Sequence, residues 1–312
     1  MSIVVIGGAG FIGSSLVKKL NQRDSEIVVI DKLSLGRSDY IDTSSVTLID
    51  EDINNTETII KLLRDYNPIE EIWHLAANSD IPEGISNIEV DLNDTFMTTV
   101  SVLKVIKEFN IKRLYFSSTS AIYGDIDKKL NEDIGPLFPI SNYGAMKLAS
   151  EAIISSAVES YLESAIIYRF PNVVGTPATH GVILDFVRGL KEDPSCLQVL
   201  GNGSQQKLYL HVNELIDAMF FINDKSSSGL SYFNIGPNDE GISVREIAEK
   251  TVERISPKAK IKYQDSNKGW PGDVPKFSYS VDKLKALGWS KECSSKDAIT
   301  KAINEIATQE GF

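Results

Sequence analysis

The stretch that decides the fold is Ile3-Val4-Val5-Ile6-Gly7-Gly8-Ala9-Gly10-Phe11-Ile12-Gly13-Ser14. An apolar run predicts a buried strand, a helix-period segment begins at Ser14, and the glycines fall between them. Glycine lets the backbone approach a pyrophosphate, and a helix N-terminus presents free N–H groups to it. The turn is therefore expected to bind a dinucleotide, although a glycine turn without ligand has the same pattern. The cofactor-binding residues expected here are Gly7, Gly10, Phe11, Ile12 and Gly13.

An acidic residue ends the next apolar run. Asp31 lies 18 residues beyond Gly13, close to the spacing of about 20 expected for a carboxylate on the adenosine ribose. A carboxylate there repels a 2′-phosphate, so NAD is favoured over NADP, while Lys32 and Arg37 add nearby positive charge. The alternative is that Asp31 only caps a turn before Lys32.

The pattern continues with apolar runs that alternate with helix-period segments, which predicts βαβ units. The expected fold is α/β, a Rossmann-type doubly wound parallel sheet with a smaller α/β substrate-binding lobe. Residues 1–170 are expected to form the NAD-binding domain, to which 212–240 return. Residues 171–211 and 241–312 are expected to form the substrate-binding lobe. A single helical stretch is expected around 90–109. After residue 170 shorter elements are expected first, followed by a strand at 232–235 and helices at 243–255, 281–287 and 295–307.

Composition restricts the partners. The 312 residues hold 32 Lys and Arg against 43 Asp and Glu, a net charge of −11, so nucleic acid is an unexpected partner. No apolar run is long enough to cross a membrane, and the N-terminus has no signal-peptide pattern, which predicts a cytoplasmic protein. Cys196 and Cys293 are expected to be reduced. The three histidines, His74, His180 and His211, have no ligand spacing, so no metal is expected.

Two further patterns suggest proton chemistry. Tyr143 and Lys147 are four residues apart, which places phenol and ammonium on one helix face. An ammonium stabilises a phenolate, the condition for a tyrosine general base, although such pairs also occur on solvated helix faces. The hydroxyl-rich stretch 117–124 follows an inner strand, where α/β sheets hold ligands, although its hydroxyls also suit backbone capping.

Taken in order, these motifs resemble the extended short-chain dehydrogenase/reductase superfamily, and within it the nucleotide-sugar 4-epimerases of the UDP-glucose 4-epimerase type. The resemblance covers nearly the whole chain. The matching segments are 7–13, Asp31, 52–53, 74–77, 117–124, 143–147, 169–175, 201–207, 234–236 and 271–274.

The resemblance implies a bound NAD, a UDP-sugar substrate, no membrane partner and a homodimer. It implies that Tyr143, Lys147 and Thr119 are catalytic. The further cofactor-binding residues that it implies are Asp52, Ile53, Leu75, Ala76, Ala77, Ser117, Tyr143 and Lys147. The substrate-binding residues that it implies are Thr119, Tyr143, Asn172, Lys207 and Asp273.

Three positions depart from the family pattern. Lys207 stands where many relatives have Arg, so a point charge replaces bidentate recognition of a diphosphate. Trp270 stands where Arg is common, and Lys268 is the alternative source of that charge. Where relatives often have an Asn that touches the cofactor, residues 93–96 read Asn-Asp-Thr-Phe, and that contact is not assigned to a residue here. The segments around Lys207 and Trp270 resemble archaeal-type members more closely.

The reaction implied is NAD-dependent epimerisation at C4 of a UDP-hexose, the interconversion of UDP-glucose and UDP-galactose through a 4-keto sugar. Dehydratases of the superfamily have an Asp-Glu pair after the hydroxyl, whereas Ser120 and Ala121 follow Thr119 here. The alternatives are another NAD-dependent nucleotide-sugar oxidoreductase or decarboxylase, and a non-catalytic NAD-binding regulatory protein.

Overall fold

The computed structural model describes residues 1–266, 277–292 and 294–312. The strands, in chain order, are β1 (Ser2–Ile6), β2 (Glu26–Asp31), β3 (Thr47–Asp50), β4 (Ile69–His74), β5 (Arg113–Thr119), β6 (Ser164–Phe170), β7 (Asn172–Val174), β8 (Cys196–Val199), β9 (Gln206–Lys207), β10 (Tyr209–His211), β11 (Gly229–Asn234), β12 (Ile242–Ser243) and β13 (Lys260–Tyr263). The helices are α1 (Phe11–Leu20), α2 (Thr56–Leu63), α3 (Ile81–Ser86), α4 (Ile88–Asp91), α5 (Thr98–Phe109), α6 (Asn142–Ser160), α7 (Val182–Glu192), α8 (Val212–Lys225), α9 (Val244–Ile255), α10 (Asp282–Ala286) and α11 (Ser295–Gln309). Short 3₁₀ turns lie at Ser38–Tyr40, Arg64–Tyr66 and Ser120–Tyr123.

Seven strands form one parallel sheet in the order β3-β2-β1-β4-β5-β6-β11. Ile6 pairs with Ile30 on one side and with His74 on the other, and His74 pairs with Phe116. This register brings the carboxyl ends of the central strands to one edge. The strand order reverses between β1 and β4, where open α/β sheets leave a ligand crevice. The predicted Rossmann-type α/β fold is confirmed.

The sheet forms because its inner strands bury mostly apolar residues on both faces. Every residue of β1 is buried, as parallel strands covered on both faces require. Helices α2, α5 and α6 contribute apolar side chains to the same core. The fully buried members include Val4, Ile59, Leu63, Ile72, Val102, Val105, Leu114, Phe116 and Ile154.

The helical stretch predicted around 90–109 is interrupted. Helix α4 ends at Asp91, a π-helical turn covers Leu92–Met97, and α5 begins at Thr98. The buried Thr95 explains the irregularity, because its Oγ1 accepts from the Asn78 backbone N–H at 3.1 Å. The Thr98 hydroxyl donates to the Thr95 carbonyl at 2.9 Å and replaces part of the helical ladder. Single π turns of this kind are frequent near functional sites.

The chain folds as two compact units. The first unit comprises Met1–Gly124, Pro136–Arg169 and Met219–Phe233 and contains the large sheet. The second comprises Asp125–Gly135, Phe170–Ala218 and Asn234–Phe312. Each unit is therefore built from separate chain segments, and the chain returns to the first unit after residue 218.

The second unit has its own core, in which α7, α9 and α11 pack together. Its small sheets pair β7 with β10 in parallel, β8 with β13 in parallel, and β9 with β12 antiparallel. Helix α7 runs over eleven residues and buries Ile183, Leu184, Phe186, Val187 and Leu190 on one face. The helices predicted at 243–255 and 295–307 correspond to α9 and α11, whereas α7 is longer than the short elements predicted after residue 170.

Within 1–266, 277–292 and 294–312, no helix combines the length and the apolar character that a membrane span needs. In the same part of the chain, no group of three or more His, Cys, Asp or Glu side chains is arranged to hold a metal ion. Cys196 is a free, partly buried thiol. The predictions for Lys268, Trp270, Asp273 and Cys293 lie outside the described residues.

Candidate functional site

The glycine turn joins β1 to α1 at the reversal of the strand order. Gly7 has φ +79°, and a Cβ there would lie 2.7 Å from the Ala76 backbone nitrogen. A Cβ on Gly13 would lie 2.0 Å from the Gly7 carbonyl oxygen. Both positions therefore need glycine because the backbone around them is closely packed.

Gly10 has no such steric reason to be glycine. It is the N-cap of α1 with φ −79°, and the nearest atom to an added Cβ is the Gly7 oxygen at 3.5 Å. Helix α1 begins at Phe11, three residues before the predicted start. The backbone N–H groups of its first turn therefore point out of the helix N-terminus, next to Gly10. Glycine with open space beside a helix N-terminus fits a bound diphosphate.

Both carboxylate oxygens of Asp31 accept hydrogen bonds from backbone N–H groups. Oδ2 accepts from the Ala9 N–H and Oδ1 from the Leu33 N–H, each at 2.9 Å. Burial raises the pKa of the carboxyl, and the two backbone hydrogen bonds oppose that shift. The bond to Leu33 is the turn contact that the capping alternative expects, and the bond to Ala9 places the carboxylate beside the glycine turn.

The two cations that follow Asp31 are each engaged by carboxylates. Lys32 Nζ lies 2.6 Å from Asp94 in the π-helical turn and 3.8 Å from Asp52. Arg37 pairs with Asp39 at 2.7 Å. Their positive charge is therefore already compensated and does not favour a 2′-phosphate.

We expect Asp31→Ala to narrow the preference for NAD over NADP by about tenfold or more, because it removes a charge that repels the 2′-phosphate. Dissociation constants for both dinucleotides would be measured by calorimetry. Asp42→Asn, which removes an exposed carboxylate from the same region, is the control and should leave the ratio unchanged. An unchanged ratio in Asp31→Ala, together with a lower melting temperature, would favour the turn-cap role instead.

The other predicted cofactor residues lie at the same edge of the sheet. Asp52 follows β3, and its Oδ1 accepts from the Asn54 N–H at 2.8 Å. Ile53 is buried in the core of the first unit. Leu75 and Ala76 both donate from their backbone nitrogens to the Ile6 carbonyl, at 2.9 and 3.0 Å. Ala77 continues this segment, which therefore lies directly beside the glycine turn.

The predicted catalytic residues come together at the end of β5 and the start of α6. The Thr119 hydroxyl lies near the Tyr143 phenol and lowers the pKa of that phenol. Thr119 Oγ1 also accepts from the Ala121 N–H at 3.1 Å, which fixes its orientation. Burial and the Asp91 carboxylate have the opposite effect and raise the pKa of Tyr143 above its usual value.

Lys147 is buried one turn further along α6. Its Nζ donates to the Ser117 carbonyl at 2.6 Å and lies 4.6 Å from the centre of the Phe116 ring. Burial lowers the pKa of Lys147 to about 7, against a smaller opposing effect of Glu151. Ser117, whose Oγ donates to the His74 carbonyl at 3.2 Å, ties this end of β5 to β4.

We expect the stability conferred by Lys147 to depend on pH. Its pKa is about 7 in the folded chain and 10.5 in the unfolded chain, so between these values the unfolded state binds more protons. Stability of the wild type should therefore rise with pH relative to Lys147→Met, by up to about 1.4 kcal/mol per pH unit. Urea unfolding of both proteins from pH 7 to 9, at equal NAD content, measures it. Parallel curves would contradict the shifted pKa.

A buried ion pair, not anticipated from the sequence, lies behind these residues. Arg169 donates through Nε and Nη2 to the two oxygens of Glu151, at 3.1 and 2.7 Å. Glu151 Oε1 also accepts from the Ser118 hydroxyl, and Arg169 Nη1 donates to the Tyr123 hydroxyl at 3.1 Å. Glu151 is one turn beyond Lys147, so the pair anchors α6 to the end of β6.

His74 is fully buried at the end of β4. Its Nε2 lies 3.1 Å from the Thr99 hydroxyl, which in turn lies 3.0 Å from the Ser150 hydroxyl of α6. Burial, followed by the charge of Lys147, lowers the pKa of His74 well below its usual value. A neutral histidine here joins β4, α5 and α6, and this role is structural rather than that of a metal ligand.

Two of the predicted substrate-binding residues lie in the second unit. Asn172 begins β7, and its Nδ2 donates to the Leu208 carbonyl at 3.4 Å. Lys207, the residue before Leu208, is half-buried in β9. The structure thus brings Asn172 close to the segment of Lys207, and Asp273 lies outside the described residues.

Comparison with known proteins identifies relatives of the same fold and length. Residues 3–236 match the NAD dependent epimerase/dehydratase family. The chain is 26% identical, over 97% of both proteins, to a putative UDP-glucose 4-epimerase of Methanocaldococcus jannaschii. It is 30% identical to a crystal structure of a UDP-galactose 4-epimerase, with a TM-score of 0.87 over 99% of each chain. The Thermus thermophilus UDP-glucose 4-epimerase in complex with NAD is 26% identical, with a TM-score of 0.85 over 98% of this chain and 99% of that one.

A parallel sheet with a glycine turn where its strand order reverses, and with Tyr143 and the buried Lys147 on a helix at the same edge, is the architecture of a dinucleotide-dependent enzyme. The match of residues 3–236 covers three quarters of the sequence, and the chain belongs to the NAD dependent epimerase/dehydratase family. The predicted resemblance and the predicted cofactor NAD are confirmed.

Proposed function

We propose that this protein interconverts UDP-glucose and UDP-galactose by reversible oxidation at C4, with tightly held NAD. The observation that carries the proposal is the grouping of the Thr119 hydroxyl, the Tyr143 phenol and the buried Lys147 at the end of β5 and the start of α6. This arrangement offers one proton acceptor with an adjacent hydroxyl and a cation, which suffices for removing a proton from an alcohol and returning it. The names of the relatives support the choice of UDP-hexoses.

Each residue has a separate task in the proposed mechanism. Tyr143 Oη takes the proton of the sugar 4-hydroxyl, and Thr119 orients that oxygen by hydrogen bonding. Lys147, while protonated, stabilises the phenolate that begins the step. When bound, NAD supplies the reversible oxidant that converts C4 from alcohol to ketone and back. After the 4-keto sugar has turned its other face, Tyr143 returns the proton, and the epimer results without net oxidation.

The residues proposed to hold the cofactor are those at the carboxyl edge of the sheet. We assign the diphosphate to the Gly7–Gly13 turn, the adenosine ribose to Asp31, and the adenine to Asp52 and Ile53. Leu75–Ala77 and Ser117 line the same edge, and Lys147 holds the nicotinamide ribose. For the substrate, we assign Asn172, Lys207 and Asp273 to the nucleotide diphosphate, and we propose a homodimer from the family resemblance.

These side chains are less suited to eliminating water from the sugar, the reaction of the dehydratases. It needs an acid and a base in addition to the tyrosine, whereas Ser120 and Ala121 occupy the positions after Thr119. Glu151 is the nearest additional carboxylate in the sequence of α6, and Arg169 and Ser118 already occupy both of its oxygens. Epimerisation needs no further proton donor.

The test is incubation of the purified protein with UDP-galactose, followed by proton NMR of the products and by absorbance at the NADH band. We expect UDP-glucose to appear without accumulation of NADH. Mass spectrometry of the denatured protein should identify released NAD. A 4-keto-6-deoxy sugar would contradict epimerisation, and release of CO₂ from UDP-glucuronate would establish the decarboxylase alternative. Inertness towards all UDP-hexoses, with NAD bound, would favour the non-catalytic alternative.

A further inference from the structure

His74 is a buried side chain to which the proposed mechanism assigns no task. It ends β4 and has 0% of its surface exposed. Burial, followed by the charge of Lys147, lowers the pKa of its ring, which is therefore neutral and carries one N–H. Nε2 lies 3.1 Å from the Thr99 hydroxyl, whereas Nδ1 has no partner among the residues that the structure describes. A buried N–H without an acceptor is rarer than an unused lone pair, so the proton is assigned to Nε2.

From Nε2, a chain of hydrogen bonds runs to α6. The Thr99 hydroxyl accepts from Nε2 and keeps one proton of its own. It donates that proton to Ser150 Oγ at 3.0 Å, the shorter of two contacts, the other being the Thr95 carbonyl at 3.3 Å. Ser150 lies on α6, three residues beyond Lys147. The side chains of His74, Thr99 and Ser150 are all fully buried, so a lost link has no replacement from bulk water.

The main chain of His74 leads to the other end of Lys147. Ser117 Oγ donates to the His74 carbonyl at 3.2 Å, and the Ser117 carbonyl accepts from Lys147 Nζ at 2.6 Å. Together with the chain through Ser150, these bonds close a ring. His74 therefore contributes to fixing both the strand carbonyl that holds the ammonium and the helix from which the lysine side chain extends.

A second anchor holds α6 on a neighbouring face. Glu151 is the residue after Ser150, and its carboxylate accepts from the Ser118 hydroxyl and from Arg169. Successive residues of a helix are turned by about 100°, so the two anchors act in different directions. Only together do they fix the rotation of α6 about its axis. Loss of the Ser150 anchor lets the helix turn about the Glu151 ion pair and moves Lys147 away from the strand carbonyl.

We infer that His74 is a positioning residue that acts through Lys147, because its side chain holds α6 at the place from which the ammonium reaches the strand carbonyl. The effect on turnover rests on the proposed function, whereas the position of Lys147 is measured by itself. In the proposed mechanism Lys147 stabilises the Tyr143 phenolate and holds the nicotinamide ribose. A displaced lysine therefore slows the chemical step without changing the substrate or the cofactor.

The experiment is competitive acetylation of the folded protein with acetic anhydride, at equal NAD content. Mass spectrometry gives the rate at Lys147 relative to Lys104, an exposed lysine of α5. Ser150→Ala and Thr99→Val each break one link of the chain. We expect Lys147 to react about two- to tenfold faster in both, the size that the loss of one hydrogen bond gives. The kcat for UDP-galactose should fall by a similar factor with little change in KM, since the residues assigned to the nucleotide diphosphate are untouched.

Variants of His74 itself test the link at its origin. His74→Leu removes the donor and should show both changes. His74→Gln places an amide N–H at a similar reach from the main chain, and it should restore the reactivity of Lys147 and the kcat towards those of the wild type. Ser156→Ala is the matched control, because it removes an exposed hydroxyl from the same helix, and neither quantity should change.

Acetylation of Lys147 at the wild-type rate in folded Ser150→Ala and Thr99→Val would overturn the inference. These two variants carry the test if His74→Leu does not fold. Equally fast acetylation in Ser156→Ala would show a general loosening of α6 and would likewise overturn it. Faster acetylation of Lys147 with an unchanged kcat would instead support the positioning role of His74 and contradict the proposed task of Lys147 in the reaction.

Discussion

Tyr143→Phe should reduce epimerase turnover by about 10³-fold or more, while the protein stays folded and binds NAD. The phenol supplies the only proton transfer in the proposed mechanism, and general acid–base catalysis contributes about 10²- to 10⁴-fold. Phenylalanine retains the ring, so the packing of α6 should be unchanged. The kcat and KM for UDP-galactose would be measured together with the NAD content of the purified variant.

Thr119→Ala is the graded control for this change. In the proposed mechanism its hydroxyl orients the substrate oxygen, a task that a water molecule partly takes over, so a smaller loss is expected. Lys147→Met should also reduce turnover strongly, because it removes the cation that stabilises the phenolate. Near-normal turnover of Tyr143→Phe would exclude the phenol as the base and would require a different proton acceptor.

Arg169→Leu should lower the free energy of unfolding by about 3–5 kcal/mol, because it leaves the buried Glu151 carboxylate without its partner. Both side chains are buried, at 8% and 7% exposure, so water cannot replace the lost bonds. The loss should be seen in urea unfolding of the NAD-free protein. It should also reduce turnover, since Glu151 lies on the catalytic helix.

The matched control is Arg188→Leu, which breaks the more exposed ion pair of Arg188 with Glu310. Exposed pairs contribute about 0–1 kcal/mol, so its effect should be small. The double variant Arg169→Leu, Glu151→Leu removes both charges and should recover much of the stability. Equal losses of unfolding free energy in Arg169→Leu and Arg188→Leu would show that the buried pair contributes no more to stability than the exposed pair.

The sequence predicts the fold where a local pattern has one physical meaning. Wholly apolar runs such as 3–6 have to be buried, and glycines between a strand and a helix indicate the turn at the crevice. The π-helical turn at Leu92–Met97 was not predictable in the same way, since it depends on a contact between Thr95 and Asn78, which lie on different elements. Helix α7 was missed because glycines at positions 181 and 189 resemble loop signals, although Gly189 is accommodated within the helix.

The residues of the candidate site likewise fall into those that a local pattern predicts and those that depend on contacts between distant segments. Tyr143 and Lys147 follow from their four-residue spacing, and Asp31 follows from its distance to the glycine turn. The structure places Tyr143 and Lys147 at the start of α6, near Thr119 at the end of β5. The ion pair of Glu151 with Arg169 and the buried Asp91 depend on packing between distant segments. Spacing carries no information about such contacts. A charged residue within an otherwise amphipathic helix was the only signal available in the sequence, and it equally predicts a solvated face.

The strand order has a consequence for synthesis on the ribosome. Strand β6 ends at Phe170, but its outer neighbour β11 is complete only at Asn234, 64 residues later. At about 5–20 residues per second, the edge of β6 that later pairs with β11 would lack a partner strand for about 3–13 s. Exposed strand edges pair readily with other chains, so this interval is when misassembly should occur. Slowing translation between codons 170 and 234 should therefore lower the soluble yield, whereas slowing it after codon 234 should have less effect.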